Sequence, residues 1–531
     1  MDRRCFLKAA ATGAAALTAS TSRRLAAPAL AQDATKRVLR FIPQGPLAEL
    51  DPIASADYVV RNAAALVFDT LYGLDRDLKP RRQMVEAEEI SADGRIWTFR
   101  LRPELLFHSG EPVLARDAVA SINRWAARDA TGAIVKSIEN ELAVVDDRTF
   151  RWTLRTPFRK LLLALGKMSP PCCFIMPAEL AATDPFEELD EYVGSGPMRF
   201  IKSEWAPGER AAFDKFRNYE PRDETASWLA GGKRMFVDRV EWLTLADPAA
   251  AAAAVRSGTA DWWEIAPPER VPELRADRNI TVAIADPLGA VGLLVFNHLA
   301  PPFRDVRARR AFLMALSQPD YMAAYPANGL WRPLPGFFTP GTPFYNEEGG
   351  DVLSKPRRGN AIDAARDLLH ESGYSGAPVT GLIAQDIPAS KAWGGVTADL
   401  LTRLGMNVNY VATNRADLAA RRAGGDWHVY PEVRAGADCA DPTNTALRAD
   451  GSFTANGWPD IAPLEEGIAE WFFPDAGDDE RVIARALNKA ALDEVVAAPL
   501  GFFLSHRAWR NAVSGTVPGP LPFFWDVSKQ P

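Results

Sequence analysis

Chemically active side chains are scarce in this chain. Of 531 residues only 5 are His and 4 are Cys. His108, His298, His370, His428 and His506 stand apart, and none pairs with a Cys or carboxylate at zinc-ligand spacing, so no metal site is expected. Cys5 lies near the start, Cys172 and Cys173 are adjacent, and Cys439 is remote; an oxidising compartment permits a disulfide here without implying one. There is no G-x-S-x-G nucleophile elbow. In Gly194-Ser195-Gly196-Pro197 the proline opposes the helix that normally follows such a serine. Phosphate-cradling G-x-x-x-x-G-K and strand-turn-helix G-x-G-x-x-G patterns are also missing, which removes the scaffold for a nucleotide cofactor; none is expected. Surplus positive charge is lacking: 61 Lys+Arg against 68 Asp+Glu give -7, which argues against nucleic acid as a partner. After residue 31 no run of about 18 apolar residues follows, so no membrane-crossing helix is expected. Internal repeats and low-complexity linkers are absent as well.

What remains is an ordinary folding composition. Hydrophobic residues make up 47% and charged residues 24%, enough apolar surface for a packed core. Length alone suggests about three domains or one large two-lobed body. The 15 Trp, 26 Phe and 41 Pro point to aromatic-lined surfaces and many irregular connections. Residues 1–31 read as an address: Arg3, Arg4 and Lys8, an Ala-rich stretch, then Ala29-Leu30-Ala31 before Gln32. The pair Arg3-Arg4 followed by Phe6-Leu7-Lys8 resembles the twin-arginine export signal, with cleavage expected after about Ala31. Its removal leaves 56 basic against 67 acidic residues, a distinctly acidic chain in the periplasm.

Periodicity gives a mixed plan. VLRFI (38–42), RIWTFRLRP (95–103) and TFRWTLRTP (149–157) read as strands, and GLLVFN (292–297) as a strongly apolar one. Helical spacing marks 115–130, the Ala-rich 249–256 before Gly258, 305–317, and 361–373 closing at Gly373. Strands and helices do not alternate strictly, so the expected class is α/β of mixed α+β type. The Pro-rich stretch 331–343 is the most irregular and is expected on a surface.

Several motifs in fixed order then carry a resemblance. LDP (50–52), DGRIWTFRLRPELLFHSGEPVLARDAV (93–119), VGSGPMRF (193–200), PGER with RNY (217–219), VDRVEW (237–242), SGTAD (257–261), FNHLAPPFRDVRARRAFLMAL (296–316) and AARDLLHESGY (364–374) together resemble the extracellular solute-binding proteins of ATP-driven importers, family 5, the oligopeptide, dipeptide and nickel type. Most of these residues make sense as structure, with glycines at tight turns and prolines ending elements. The resemblance implies a two-lobed periplasmic-binding-protein fold with an extra subdomain in the first lobe. Lobe 1 is expected from 32–75, 190–290 and 500–531, the subdomain from 76–189, and lobe 2 from 291–499. It implies no enzyme, but a monomer that closes on a small solute or short peptide and hands it to the permease and ATPase subunits of an importer.

The solute site is expected from the same resemblance. RAGADCADP (434–442) is similar to the segment whose aspartate holds a peptide's α-ammonium, which puts Asp438 in that role. A turn role for Asp438 and Asp441 before Pro442 stands beside it. Ala435 replaces the Trp usual three residues before the aspartate, which weakens the case for peptide selectivity. Arg434, Gly436, Trp458, Trp393, Leu47 and Gln44 complete the expected ligand-binding set. Alternatives are the same fold carrying a nickel complex, oligosaccharide, opine or aromatic acid, or a secreted glycosidase built on two carboxylates.

Overall fold

Three larger sheets organise the chain in the computed structural model, which describes residues 37–530 except 327–328, 355–360, 444, 449–456, 458 and 475–477. The first sheet has seven strands in the order Met198–Phe200, Arg210–Lys215, Arg239–Leu243, Val38–Ile42, Trp262–Ala266, His506–Arg510, Ile280–Ile284. Val38–Ile42 runs parallel to both its neighbours, and the remaining pairs are antiparallel. The second sheet has six strands, ordered Trp331–Arg332, Ala497–Phe503, Ala290–Phe296, Val429–Ala435, Pro378–Ala384, Asn407–Thr413. A four-stranded antiparallel sheet, Val85–Ile90, Ile96–Leu101, Thr149–Leu154, Glu139–Val144, forms the extra subdomain. This is the mixed α/β, two-lobed plan.

The lobes are joined where strands pass from one sheet to the other. Ile280–Ile284 leads into Ala290–Phe296, and Ala497–Phe503 into His506–Arg510. The two crossings lie side by side: Ala285 N donates to Ser505 O at 2.8 Å. At the first crossing Gly289 has φ +57, and a Cβ there would stand 2.5 Å from Phe503 O, so only glycine fits.

Local chemistry explains the elements. The helix Pro248–Ser257 starts at Asp247, whose carboxylate accepts from Ala249 N and Ala250 N, and stops at Gly258 in the left-handed region. The helix expected over 115–130 ends earlier, at Ala126, because Asp129 caps a second helix, Ala130–Ser137, by accepting from Gly132 N at 2.8 Å. Asp51 of the LDP motif is fully buried and paired at 2.7 Å with Arg124, also fully buried, and its oxygens accept from Ile53 N and Leu189 N. Its role is structural.

The Pro-rich stretch 331–343 corrects the surface expectation. Leu334, Phe337, Phe338 and Thr339 are each 0% exposed. Three large apolar side chains within five positions outweigh the prolines and anchor the segment in a core that continues from the first lobe through Trp471 and Phe472. Phe158 of the subdomain stacks on Phe472 at 6.0 Å. Among the described residues Cys172 and Cys173 are free and buried, Cys439 is buried, and no three His, Cys, Asp or Glu gather as metal ligands.

Candidate functional site

The site grows from the first helix, Tyr58–Val67, whose N-cap Asp57 accepts from Val59 N at 3.0 Å. On this helix Tyr58, Arg61 and Asn62 fall at i, i+3 and i+4 and share one face. The hydroxyl of Tyr58 donates to Asp438 Oδ2 on the second lobe. Burial, and next the neighbouring Asp438 charge, push the phenol well above its ordinary value, so Tyr58 stays a neutral donor. Asp57 itself reaches the second lobe, pairing with Arg415 at 3.1 Å.

Asp438 sits in a 3-10 turn, Gly436–Cys439, at the end of the strand Val429–Ala435. Three bonds fix that turn: Gly436 N donates to Gly289 O at 2.8 Å, Thr339 Oγ1 to Gly436 O at 2.7 Å, and Thr339 N to Cys439 O at 2.8 Å. The buried Pro-rich segment is thus the backing of the turn. A Cβ on Gly436 would stand 1.8 Å from Leu288 O, on the crossing between lobes. Asp438 Oδ1 is buried and has no hydrogen-bond partner among the described residues. A buried carboxylate oxygen without a donor is costly, and such an oxygen at a contact between lobes is what a cationic ligand would satisfy.

Around this pair runs a polar network. Arg61 is 3% exposed, lies 4.9 Å from the Tyr58 ring centre, and donates to Asn62 Oδ1, Met168 O and Pro520 O. Asn62 Nδ2 donates to Glu264 Oε1 at 2.8 Å, and Gln44 meets both oxygens of Glu264, from its backbone N at 2.7 Å and its Nε2 at 3.0 Å. Burial pushes Glu264 up to about 7, against the opposing pull of Gln44 and Arg61. Asp286, on the first crossing, is also pushed up to about 7 by burial, with Leu288 N and Arg61 pulling it back and Asp438 adding to the rise. Arg434 pairs with Glu432 at 3.2 Å; burial pulls its pKa down, but Glu432 and Tyr58 outweigh that and hold it above its ordinary value. On the far side of the turn, Ala437, Asp441 and Thr443 face Lys167, Met168 and Ser169 of the first lobe across a narrow crevice.

The residues expected from sequence separate into groups. Asp438, Arg434 and Gly436 come together at the lobe contact, with Gly436 filling a backbone role against Leu288. Gln44 joins the same network through Glu264, its amide already engaged. Leu47 lies elsewhere: it is 3% exposed and its carbonyl accepts from Gly208 N and Trp205 Nε1, so its backbone is used internally. Trp393 is 0% exposed, donates to Tyr321 O and Tyr325 O, and fills the space left by Gly292. That is a core position of the second lobe and no wall of a crevice. Trp458 lies outside the described residues. Sequence reasoning missed Tyr58, Arg61, Glu264 and Asp286. Two signals for them existed: polar residues at helical spacing after a capping Asp57, and a lone carboxylate inside the apolar strand Trp262–Ala266.

Comparison with known proteins decides the family. The model of the bacterial extracellular solute-binding proteins, family 5 Middle, matches residues 79–456. The chain belongs to this family. It is similar along its whole length to a probable peptide ABC transporter periplasmic-binding protein, y4tO, of Sinorhizobium fredii, at 31% identity over 100% of this chain and 99% of that protein. Among solved structures of the same fold, the binding protein AgaA from A. tumefaciens R10 in complex with agropinic acid superimposes with a TM-score of 0.80 at 20% identity, covering 93% of this chain and 99% of AgaA. DppA from Helicobacter pylori in complex with the peptide STSA gives a TM-score of 0.78 at 20% identity, with the same coverage of 93% and 99%. The shared fold accounts for the two-lobed, mixed α/β architecture. Among the described residues no helix is long and apolar enough to cross a membrane.

Proposed function

We propose that this family 5 protein is the periplasmic solute-binding component of an ATP-driven importer and that it carries a peptide or a peptide-like amine. In this reading residues 1–31 direct export and are removed, 76–189 is the extra subdomain of lobe 1, and the lobe boundaries expected at 290–291 and 499–500 move to the crossings at 285–289 and 504–505, because Ala290–Phe296 and Ala497–Phe503 both lie in the second sheet. One observation carries the choice of solute: Asp438 Oδ1 is buried at the lobe contact without a donor among the described residues, while Oδ2 is already held by Tyr58. An ammonium supplies the missing donor through a charge-assisted hydrogen bond. Because Asp438 belongs to one lobe and Tyr58 to the other, a solute bound there favours the closed form by its greater affinity for it, and the closed form is what a permease reads. The names of the y4tO and DppA relatives support a peptide.

A second reading keeps the amine but gives up the peptide. Ala435 stands where the family pattern has Trp, and AgaA, a protein of the same fold, was solved with agropinic acid. A thermal-shift screen over dipeptides, longer peptides, opines, sugars and metal chelates separates the readings, since a ligand that binds only the native state raises its apparent stability. Peptides raising the melting temperature support the first reading. A shift with sugars or metal chelates alone overturns both.

A further inference from the structure

Beside the Asp438 turn, the second lobe holds a cavity whose chemistry differs from that of the lobe contact. Its floor is one face of the second sheet: Tyr430, Glu432 and Arg434 alternate along one strand, with Leu293 opposite Glu432 and Val295 opposite Tyr430 on the next. Trp427, Arg422, Phe296 and Ala497 also bound it. The walls are mostly apolar, yet two guanidiniums and one carboxylate face inward. Glu432 forms an ion pair with Arg434 at 3.2 Å, its Oε2 without a hydrogen-bond donor among the described residues, so one carboxylate stands against two guanidiniums. Arg422 is left over: its guanidinium lies over the Tyr430 ring at 4.7 Å, and its Nε is buried with no acceptor among the described residues. Burial, and then Glu432, push the Tyr430 phenol above its ordinary value, so it brings no negative charge to balance Arg422.

Resting on the amine reading above, we propose that this cavity is a second anchoring subsite, which takes an apolar arm of the solute ending in a carboxylate received by Arg422. An orphaned guanidinium donor in an apolar surround calls for an anionic acceptor, and the bond formed is charge-assisted and directional. Arg434 ties the subsite to the ammonium position, since it lines the cavity and its charge acts on Tyr58. Tyr430 and Arg434 are about 13 Å apart along an extended strand, so a solute reaching both ends is longer than one amino acid. The class is a short acidic peptide or an amino-acid conjugate with a free carboxylate. The space between the walls is ≈ 420 Å³, its open mouth included.

The test is calorimetric titration of the full mature chain with di- and tripeptides in which Glu is exchanged for Gln at each position. The wild type is expected to prefer the acid over the amide by about tenfold or more at one position, in line with one charge-assisted bond. Arg422→Gln should bring that ratio to within about twofold, and Arg422→Lys should keep part of it, which also guards against a variant that fails to fold. Asp438→Asn should weaken acid and amide alike and leave their ratio. An acid preference that survives Arg422→Gln, or a wild type without one, overturns the subsite. If Asp438→Asn binds normally while the Arg422-dependent preference persists, the amine reading falls and the subsite stands.

Discussion

Tyr58 and Asp438, 380 positions apart in the chain, meet across the two lobes through one hydrogen bond, the phenol donating to Oδ2. The bond holds the carboxylate in place and leaves Oδ1 buried and open to a solute. Tyr58→Phe removes the donor without changing the ring. Losing a hydrogen bond to a charged group costs about 1.5–3 kcal/mol, so solute affinity should fall roughly 10- to 100-fold. Calorimetric titration checks this, and an unchanged affinity would show that the contact plays no part in holding the closed form.

Gly436→Ala should act on the same carboxylate through the backbone. The added Cβ meets Leu288 O at 1.8 Å, a contact with main chain that no side-chain rotation relieves. The turn carrying Asp438 must shift away from the crossing, and both affinity and melting temperature should drop. Affinity within about twofold of wild type would contradict the claim that this turn is held against the crossing.

A different outcome is expected where the family motif is structural. Asp51→Ala leaves Arg124 buried without its counter-charge, and breaking one half of such a pair costs about 3–5 kcal/mol. The urea midpoint should fall sharply. Affinity measured well below that midpoint should stay within about twofold, because neither residue reaches the Tyr58–Asp438 contact.

The network on the first helix carries a pH signature. Glu264 is pushed up to about 7 in the folded chain and titrates near 4.3 when unfolded. A raised native value means that the folded state keeps its proton longer. The stability this supplies is complete below about 4.3 and is lost as pH rises through about 7, up to roughly 4 kcal/mol. Gln44, Asn62 and Arg61 are the groups facing it. Glu264→Gln keeps a neutral group there, so its stability relative to wild type should improve as pH rises through this window and level off above it. Urea unfolding at a series of pH values measures this; a pH-independent difference would contradict the raised value.

Much of the fold was legible because local rules and tertiary context agreed. The alternation in 95–103 and 149–157 became adjacent strands of one sheet, and Gly258 closed the Ala-rich helix in the left-handed conformation that only glycine adopts easily. The helix over 115–130 was drawn too long because Asp129 reads equally well as a helix residue and as a cap. The segment 331–343 was misplaced because proline count says nothing of where Phe337 and Phe338 are buried. At the site, Asp438 was visible through a motif, whereas its partner was not: the Tyr58–Asp438 and Asn62–Glu264 contacts join residues 380 and 202 positions apart, which no local periodicity encodes. Trp393 looked like a pocket wall because an indole suits a cleft and a core equally well.

The central claim is that Asp438 Oδ1 receives the ammonium of the solute. The most direct measurement pairs a peptide that binds the wild type with its N-acetylated form, titrated against wild type and Asp438→Asn. The wild type should lose affinity on acetylation by at least about 100-fold, the variant should bind both forms weakly and alike, and its melting temperature should change little. Equal affinity of the wild type for the free and the acetylated peptide would contradict the account.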